Sequence, residues 1–320
     1  MKRENGLVSI IVPMHNAEDY IIKTLVSILH EKQTPIEVIV VNDKSTDTSL
    51  ARVLEFSDKR IRVIEGPGRG AAAAMNAGFA EAFGAIVMHC DADDLYPEKR
   101  IGQQVAWLRA NPEYAAVCGS FSTVDSKGSL ISELNCGTES AEITDELKKG
   151  TIRTSLGTYA IRAHSMNKVG GFREYFESSY DIDMQLRLCE VGRIAYIPER
   201  LYVWRLHGSS ITHRQSNVEM EFFEQIARDF QKQRRKSGLD DLQKGNPPIP
   251  PRRDTFPADS ASVHIQGMLL GRAWREHAKG KKLHALRTGI RALIARPANS
   301  HAWKSILALL MKSPRDSGTR

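Results

Sequence analysis

Three carboxylates stand within four residues at Asp91-Ala-Asp-Asp94, directly after the apolar run Ala85-Ile-Val-Met-His89. Like charges this close repel, and a bound cation relieves them. A divalent ion held by one or two carboxylates completes its shell with water and substrate phosphates, which is the chemistry of Mg2+ or Mn2+ on a diphosphate. A plainer reading makes the cluster a solvated acidic turn before a helix over Pro97–Arg109, where Asp94 and Glu98 suit the helix N-terminus. Asn42-Asp43 closes a second apolar run, Glu37-Val-Ile-Val-Val41. Asp is depleted in strands and common in turns. Asp43 is therefore either a turn residue or a carboxylate that accepts a hydrogen bond from a base N–H. Gly66-x-Gly-x-Gly70 matches neither the dinucleotide-binding nor the P-loop spacing. Arg69 inside it is either solvated or within reach of a phosphate.

These clusters need elements to hold them. Val8–Val12, Glu37–Val41, Ile61–Ile64 and Ala85–His89 are short β-branched or apolar runs, the first stopped by Pro13. Between them Ala17–Leu29, Ser45–Phe56 and Ala71–Phe83 carry helical spacing, with Ser45, Thr46 and Asp47 as caps of the second. Strand and helix in alternation predict an α/β fold with a mostly parallel sheet covered by helices on both faces. Ligands of such sheets bind beyond the carboxyl ends of the strands. Pro13–Asn16, Asn42-Asp43 and Asp91–Asp94 all fall there and converge on one crevice. Further on, Tyr114–Ser122 and Ile194–Ile197 read as strands and Ser178–Leu188 as a helix.

Length and composition bound the alternatives. The chain has 320 residues, 41% hydrophobic and 26% charged, which excludes a collagen, a mostly disordered chain and a disulfide-stapled miniprotein. No apolar run approaches the roughly 20 residues of a spanning helix. Met1–Leu7 carries Lys2, Arg3 and Glu4 and no signal-peptide apolar region, so a cytoplasmic protein is expected. Cys90, Cys118, Cys136 and Cys189 form no C-x-x-C pair, which speaks for buried thiols rather than a zinc or redox site.

Taken in order, the segments resemble a family 2 glycosyltransferase with the nucleotide-diphospho-sugar transferase (GT-A) fold. Val8–Asn16 is similar to that family's opening strand and turn, and Glu37–Asp47 to its second strand and uracil-binding turn. Gly70 through Asn76-Ala-Gly78, with Ala82-Phe-Gly84, resembles its third block, and Asp91-Ala-Asp93 its metal-binding D-x-D. Val169-Gly-Gly-Phe172, Asp181–Arg187 and Trp204–Thr212 resemble its acceptor-side blocks. The resemblance covers about 5–212. It implies an inverting, metal-dependent transfer of a sugar, from a UDP-sugar or related donor, to a hydroxyl of a glycan or lipid-linked saccharide in cell-surface polysaccharide synthesis.

Residue by residue, it implies that Pro13, His15 and Asn16 line the nucleotide and that Asp43 reads the uracil or thymine edge. Arg69 and Asn76 join the donor site, Asp91 contacts the ribose or sugar, and Asp93 ligates Mg2+ or Mn2+. Asp181 is the base, with Asp183 the competing choice, and Arg205 and His207 lie near the diphosphate. Departures from the pattern are Met14-His15, Asn42, Lys44 and Met75, which bear on donor preference. Tyr180 stands where a Glu often precedes the base, leaving Asp181 without that carboxylate neighbour.

The net charge of +7 is uneven. Residues 213–320 hold 21 Lys+Arg against 10 Asp+Glu, and residues 1–212 hold 24 against 28. The expected organisation is a catalytic domain over 1–212, a helix with a proline-rich linker over 213–260, and a basic helical region over 261–320. In the last, Val263–Ile294 and His301–Lys312 read as helices. Leu283, Leu286, Ile290, Leu293 and Ile294 are assigned one shared face, and Trp303, Ile306, Leu307 and Leu310 another. Two readings of its Arg272, Arg275, Lys279, Lys281, Lys282, Arg287, Arg291 and Arg296 stand. One is a peripheral contact with anionic lipid at the inner face of the membrane; the other is a subdomain with solvated charges. No nucleic-acid motif accompanies the charge. Two other functions compete with the transferase: a non-catalytic nucleotide-sugar-binding scaffold, and a nucleotidyltransferase, which lacks the glycine- and basic-rich opening expected after the first strand.

Overall fold

The computed structural model describes residues 3–134, 136–208, 217–251 and 261–312. In chain order these form β1 (Glu4–Met14), α1 (Ile21–Leu29), β2 (Ile36–Asn42), α2 (Ser49–Glu55), β3 (Ile61–Glu65), α3 (Ala71–Glu81), β4 (Gly84–His89) and α4 (Arg100–Ala110). There follow β5 (Tyr114–Asp125), β6 (Leu130–Leu134), β7 (Ala141–Glu142), α5 (Thr144–Lys148), β8 (Ala160–Arg162), α6 (Ala163–Val169), α7 (Tyr180–Val191) and β9 (Arg193–Leu206). Four helices close the chain: α8 (Asn217–Ser237), α9 (Ala261–Ala278), α10 (Lys282–Ala295) and α11 (Ser300–Met311). The chain divides into two compact units. The first comprises Met1–Phe121, Asn135–Trp204 and Val218–Arg252, the second Ser122–Leu134, Arg205–Asn217 and Arg253–Arg320.

The sheet runs β3-β2-β1-β4-β8-β5-β9-β7, with β6 paired to β5. β3, β2, β1 and β4 are parallel neighbours; β8 pairs antiparallel with both β4 and β5, as does β7 with β9. In the parallel half the side chains divide with period two, as a sheet covered on both faces requires. Val8, Ile10, Val12 and Met14 pack with Ile21, Leu25 and Ile28 of α1 and Ile101, Val105 and Leu108 of α4. Ile11, Ile39 and Val41 face the other way, onto Ala72, Ala74, Met75 and Phe79 of α3.

β1 does not stop at Pro13, as the sequence suggested, but continues to Met14. The ladder explains it. Ile11 accepts from the Cys90 N–H, so odd residues of this stretch face β4, while Met14 accepts from the Asp43 N–H on the β2 side. Pro13 therefore turns its missing donor toward β4, whose pairing has ended at Ile11↔His89. α2 starts at Ser49 rather than Ser45. Asn16 Oδ1 accepts from the Thr46 N–H at 2.8 Å and the Asp47 N–H at 3.4 Å, and Asp47 Oδ1 accepts from the Ser49 N–H at 2.9 Å. Thr48 is the N-cap residue, and Asp47, one position before it, satisfies the first helical N–H.

The proline-rich segment read as a linker is tied down over its described part. Asp240 is buried and paired with Arg173 at 2.6 Å and Arg234 at 2.5 Å, and the Tyr175 hydroxyl donates to the Pro248 carbonyl. Ser209–Thr212 and residues 252–260 lie outside the described residues.

In the second unit the helix expected over Val263–Ile294 is two helices, broken at Gly280 in the left-handed region (φ +76°). Arg272 and Arg291 donate to the Leu130 carbonyl at 3.0 and 2.7 Å, and Arg275 donates to Ser132 Oγ. Those three basic residues serve packing of α9 and α10 on β6. No helix among the described residues is long and apolar enough to cross a membrane. All four cysteines are free, three of them buried.

Candidate active site

Three loops meet at the carboxyl ends of β1, β2 and β3, joined by Asp43. Its backbone N–H donates to the Met14 carbonyl at 2.8 Å. Its own carbonyl accepts from His15 Nδ1 at 2.8 Å. A carbonyl can only accept, so Nδ1 carries a proton, and Nε2 lies 3.4 Å from the Asn16 amide nitrogen. The Asp43 carboxylate accepts from the Gly68 N–H at 2.6 Å on one oxygen and from the Gly70 N–H at 3.0 Å on the other. This gives the Gly66–Gly70 loop its reason: a Cβ on Gly66 would lie 2.6 Å from Asp43 Oδ1 and 2.9 Å from its Cα. A carboxylate has room for about four hydrogen bonds, so Asp43 keeps acceptor capacity.

The acidic turn follows β4 and is held from three sides. Thr24 Oγ1 on α1 lies 2.9 Å from the Ala92 carbonyl and 2.7 Å from that of Asp94. The Asp91 N–H donates to the Tyr202 hydroxyl at 3.1 Å, and Leu95 and Val203 exchange two backbone hydrogen bonds. Ala92 and Asp94 are buried, while Asp91 and Asp93 are half-buried. The turn thus separates its carboxylates, pointing Asp94 inward and leaving Asp91 and Asp93 accessible.

Asp181 and Asp183 lie in the first turn of α7. Burial pushes the Asp181 carboxyl up, its own and the Ile182 backbone N–H groups oppose this, and the charge of Glu224 on α8 adds to it. Glu224 thereby acts on Asp181 although Tyr180, not a Glu, precedes it. Asp183 is fully buried, 2.7 Å from Arg187 and 3.7 Å from Arg173. Burial pushes Asp91 up to about 7, and the charges of Asp93 and Asp181 add to the shift. Asp91, Asp93 and Asp181 therefore share one electrostatic neighbourhood of like charge, contributed by the β4 turn and by α7.

Among the described residues no three His, Cys, Asp or Glu side chains are grouped to cage a metal. The Asp91–Asp93 turn fits a Mg2+ or Mn2+ ion that takes its remaining ligands from a diphosphate and water. Burial first, and then the charges of Asp93 and Asp181, disfavour ionised Asp91, and a cation at the turn offsets both.

The family model described as Glycosyl transferase family 2 matches residues 9–176, more than half of the chain. The chain belongs to glycosyl transferase family 2. The matched stretch contains Asp43, Asp91 and Asp93 and ends before Asp181. This family 2 chain is 29% identical over 216 residues to the hyaluronan synthase of Pasteurella multocida, covering 67% of the chain and 22% of that protein. It is 30% identical over 207 residues to the chondroitin synthase of Pasteurella multocida (strain Pm70), covering 64% of the chain and 21% of that protein. It thus spans about a fifth of the length of these two relatives. Among solved structures, S. aureus TarS 1-349 in complex with UDP-GlcNAc matches with a TM-score of 0.54 at 17% identity, covering 98% of this chain and 93% of that one. The shared fold is GT-A, a central sheet of mostly parallel strands flanked by helices.

Several residues of this family 2 chain prove to hold the site's frame. The Asn76 amide donates to and accepts from the backbone of Phe172, at 2.8 Å each, tying α3 to the loop before α7. Arg187 donates to the carbonyls of Val169 and Gly171 at 2.8 Å. Sequence reasoning placed the Val169–Phe172 block on the acceptor side and gave Arg187 no separate role. The signal was a buried-type Arg four residues after an Asp, the spacing of a helical ion pair. Arg69 is exposed and paired with Glu174 at 3.0 Å. Arg205 and His207 belong to the second unit, where both are buried and Arg205 Nη1 lies 3.4 Å from the Ser126 carbonyl.

Proposed function

We propose that this chain transfers a sugar from a nucleoside diphosphate donor to a hydroxyl of a glycan or lipid-linked saccharide, with inversion at the anomeric carbon. The observation that carries the reading is the convergence of Asp91, Asp93 and Asp181 from two separate elements. A uridine diphosphate donor and a polysaccharide product are supported by the names of the similar proteins, two glycan synthases and a TarS complex with UDP-GlcNAc.

In this reading Pro13 and His15 line the nucleotide, and Asp43, oriented by two glycine N–H groups, accepts a base N–H with its spare lone pairs. Asp91 meets the ribose or sugar hydroxyls. Asp93, with Asp91 beside it, holds a divalent cation whose contribution is to neutralise charge on the leaving diphosphate. Asp181 takes the proton of the acceptor hydroxyl. The acceptor oxygen bonds to the anomeric carbon as the bond from that carbon to the diphosphate oxygen breaks, and the nucleoside diphosphate departs. A single base serving one in-line displacement gives inversion. The pairing of buried Asp183 with Arg187 supports Asp181 over Asp183 in that role.

The test is nucleotide release from a panel of UDP-, GDP- and dTDP-sugars, with and without Mn2+, with Asp93→Asn as control. Metal-stimulated release from one donor, lost in the variant, is expected. No binding of any nucleotide by calorimetry would overturn the reading in favour of a scaffold.

A further inference from the structure

The second unit carries apolar side chains that its own packing leaves outside. On α10 the buried face is Ala285, Thr288, Gly289, Ala292 and Leu293. Leu283, Ile290 and Ile294, which the sequence grouped with Leu293, lie on the opposite face and are 76%, 53% and 74% exposed. On α11, Ala302, Ile306 and Leu309 are buried, whereas Trp303, Leu307 and Leu310 are about half exposed and Met311 is 84% exposed. Both stripes keep helical spacing, at i, i+7, i+11 and at i, i+4, i+7, i+8. An ordinary surface scatters its exposed apolar residues singly; stripes of this kind mark an interaction face.

Charge selects the partner. No Asp or Glu stands between Lys279 and Lys312. Arg287 falls within the α10 stripe and Lys304 beside Trp303 on α11; both are exposed and have no ion pair among the described residues. The basic residues that do pair, Arg272 and Arg291, point to Glu276 and Asp125 within the unit. The Trp303 indole is oriented by its N–H, which donates to the Pro297 carbonyl at 2.8 Å. An oriented indole, aliphatic stripes and a cationic rim without acidic residues match the headgroup layer of an anionic bilayer.

We propose that α10 and α11 form an interfacial anchor that seats the second unit on an anionic lipid surface, with Trp303, Leu307, Ile290 and Ile294 entering the headgroup region and Arg287 and Lys304 meeting lipid phosphates. The proposal is independent of the transferase reading, because none of these residues belongs to the candidate active site.

The full chain is sedimented with vesicles of phosphatidylcholine containing about 30% phosphatidylglycerol, and with phosphatidylcholine alone. Binding to the anionic vesicles only is expected, weakening as salt rises from about 0.1 M toward 1 M. Each basic side chain removed should lower partition about fivefold, so Arg287→Gln with Lys304→Gln lowers it about 25-fold. Leu307→Ser should release the protein as well, with its circular dichroism unchanged. A blue shift of tryptophan emission on vesicle binding should disappear in Trp303→Phe. Absence of binding at about 0.1 M salt, or a double variant that binds like the parent, overturns the proposal. So does a concentration-dependent dimer that Leu307→Ser dissolves without any effect on lipid binding, which would assign the face to a second copy of the chain.

Discussion

Asp183 and Arg187 form a buried ion pair 2.7 Å apart across one turn of α7, and this pair distinguishes two carboxylates that the sequence sets two residues apart. Arg187 also donates to the Val169 and Gly171 carbonyls. Removing the charge of Asp183 leaves a buried guanidinium uncompensated, which typically costs about 3–5 kcal/mol. Asp183→Asn should therefore unfold at markedly lower denaturant. Asp181→Asn should keep its stability to within about 1 kcal/mol, bind nucleotide like the parent and fail to transfer sugar. Denaturation curves and calorimetric titration with UDP separate the two. A stable, inactive Asp183→Asn would exchange their roles.

The Asp43 cradle makes a second prediction, this time about binding. At Gly66 an added methyl meets the Cα of Asp43 as well as its carboxylate, so no side-chain rotation relieves the contact. Gly66→Ala should cost about 1–3 kcal/mol of stability, as overpacking does, and lower UDP affinity at least tenfold. Asp43→Ala should lower affinity similarly with smaller loss of stability. Calorimetry decides it: a Gly66→Ala protein that binds UDP like the parent would detach the loop from the nucleotide.

Much of the parallel half was legible because its strands are short β-branched runs ended by polar residues. The carboxylates at those ends, Asp43, Asp91 and Asp93, stood out by type and position. What escaped depends on partners far along the chain. The resemblance puts Asn76 in the donor site, and nothing local in the sequence shows that its amide pairs with the backbone of Phe172, 96 residues away. The glycines of Gly66–Gly70 look like a weak motif until the Asp43 carboxylate fills their loop. β9 runs 14 residues, longer than the Ile194–Ile197 expected, because Glu199 and Arg200 interrupt its apolar pattern without interrupting the strand. On α10 the spacing of Leu283, Ile290 and Ile294 was visible, but periodicity alone does not say which of two apolar stripes is buried.

His89 sets a pH dependence of stability. Burial, with the nearby Arg100 charge adding, pushes its imidazole down to about 3, whereas the unfolded chain titrates near 6.5. Between these values the unfolded state binds the extra proton, so stability is full above pH 6.5 and falls as pH drops through that window. The loss at pH 5 is about 2 kcal/mol. His89→Gln should flatten that part of the profile. Thermal melts of both proteins from pH 7.5 to 5 give the comparison, and parallel profiles would contradict a neutral, buried imidazole.

Asp93 offers a readout that activity alone lacks. In the metal-free protein its charge opposes the ionisation of Asp91, so Asp93→Asn removes a repulsion and should melt at the same temperature as the parent or higher. With a divalent cation and UDP the order should reverse. Ligands that bind only the folded state raise its stability in proportion to the logarithm of ligand concentration over Kd, about 2.7 kcal/mol at a hundredfold excess. The parent should gain a stabilisation of that kind from Mn2+ and UDP together, exceeding the gain from UDP alone. The variant should gain from UDP alone and nothing more from Mn2+. Equal Mn2+ gains in both proteins would place the cation elsewhere, and a variant that melts below the parent without metal would make Asp93 a structural residue instead.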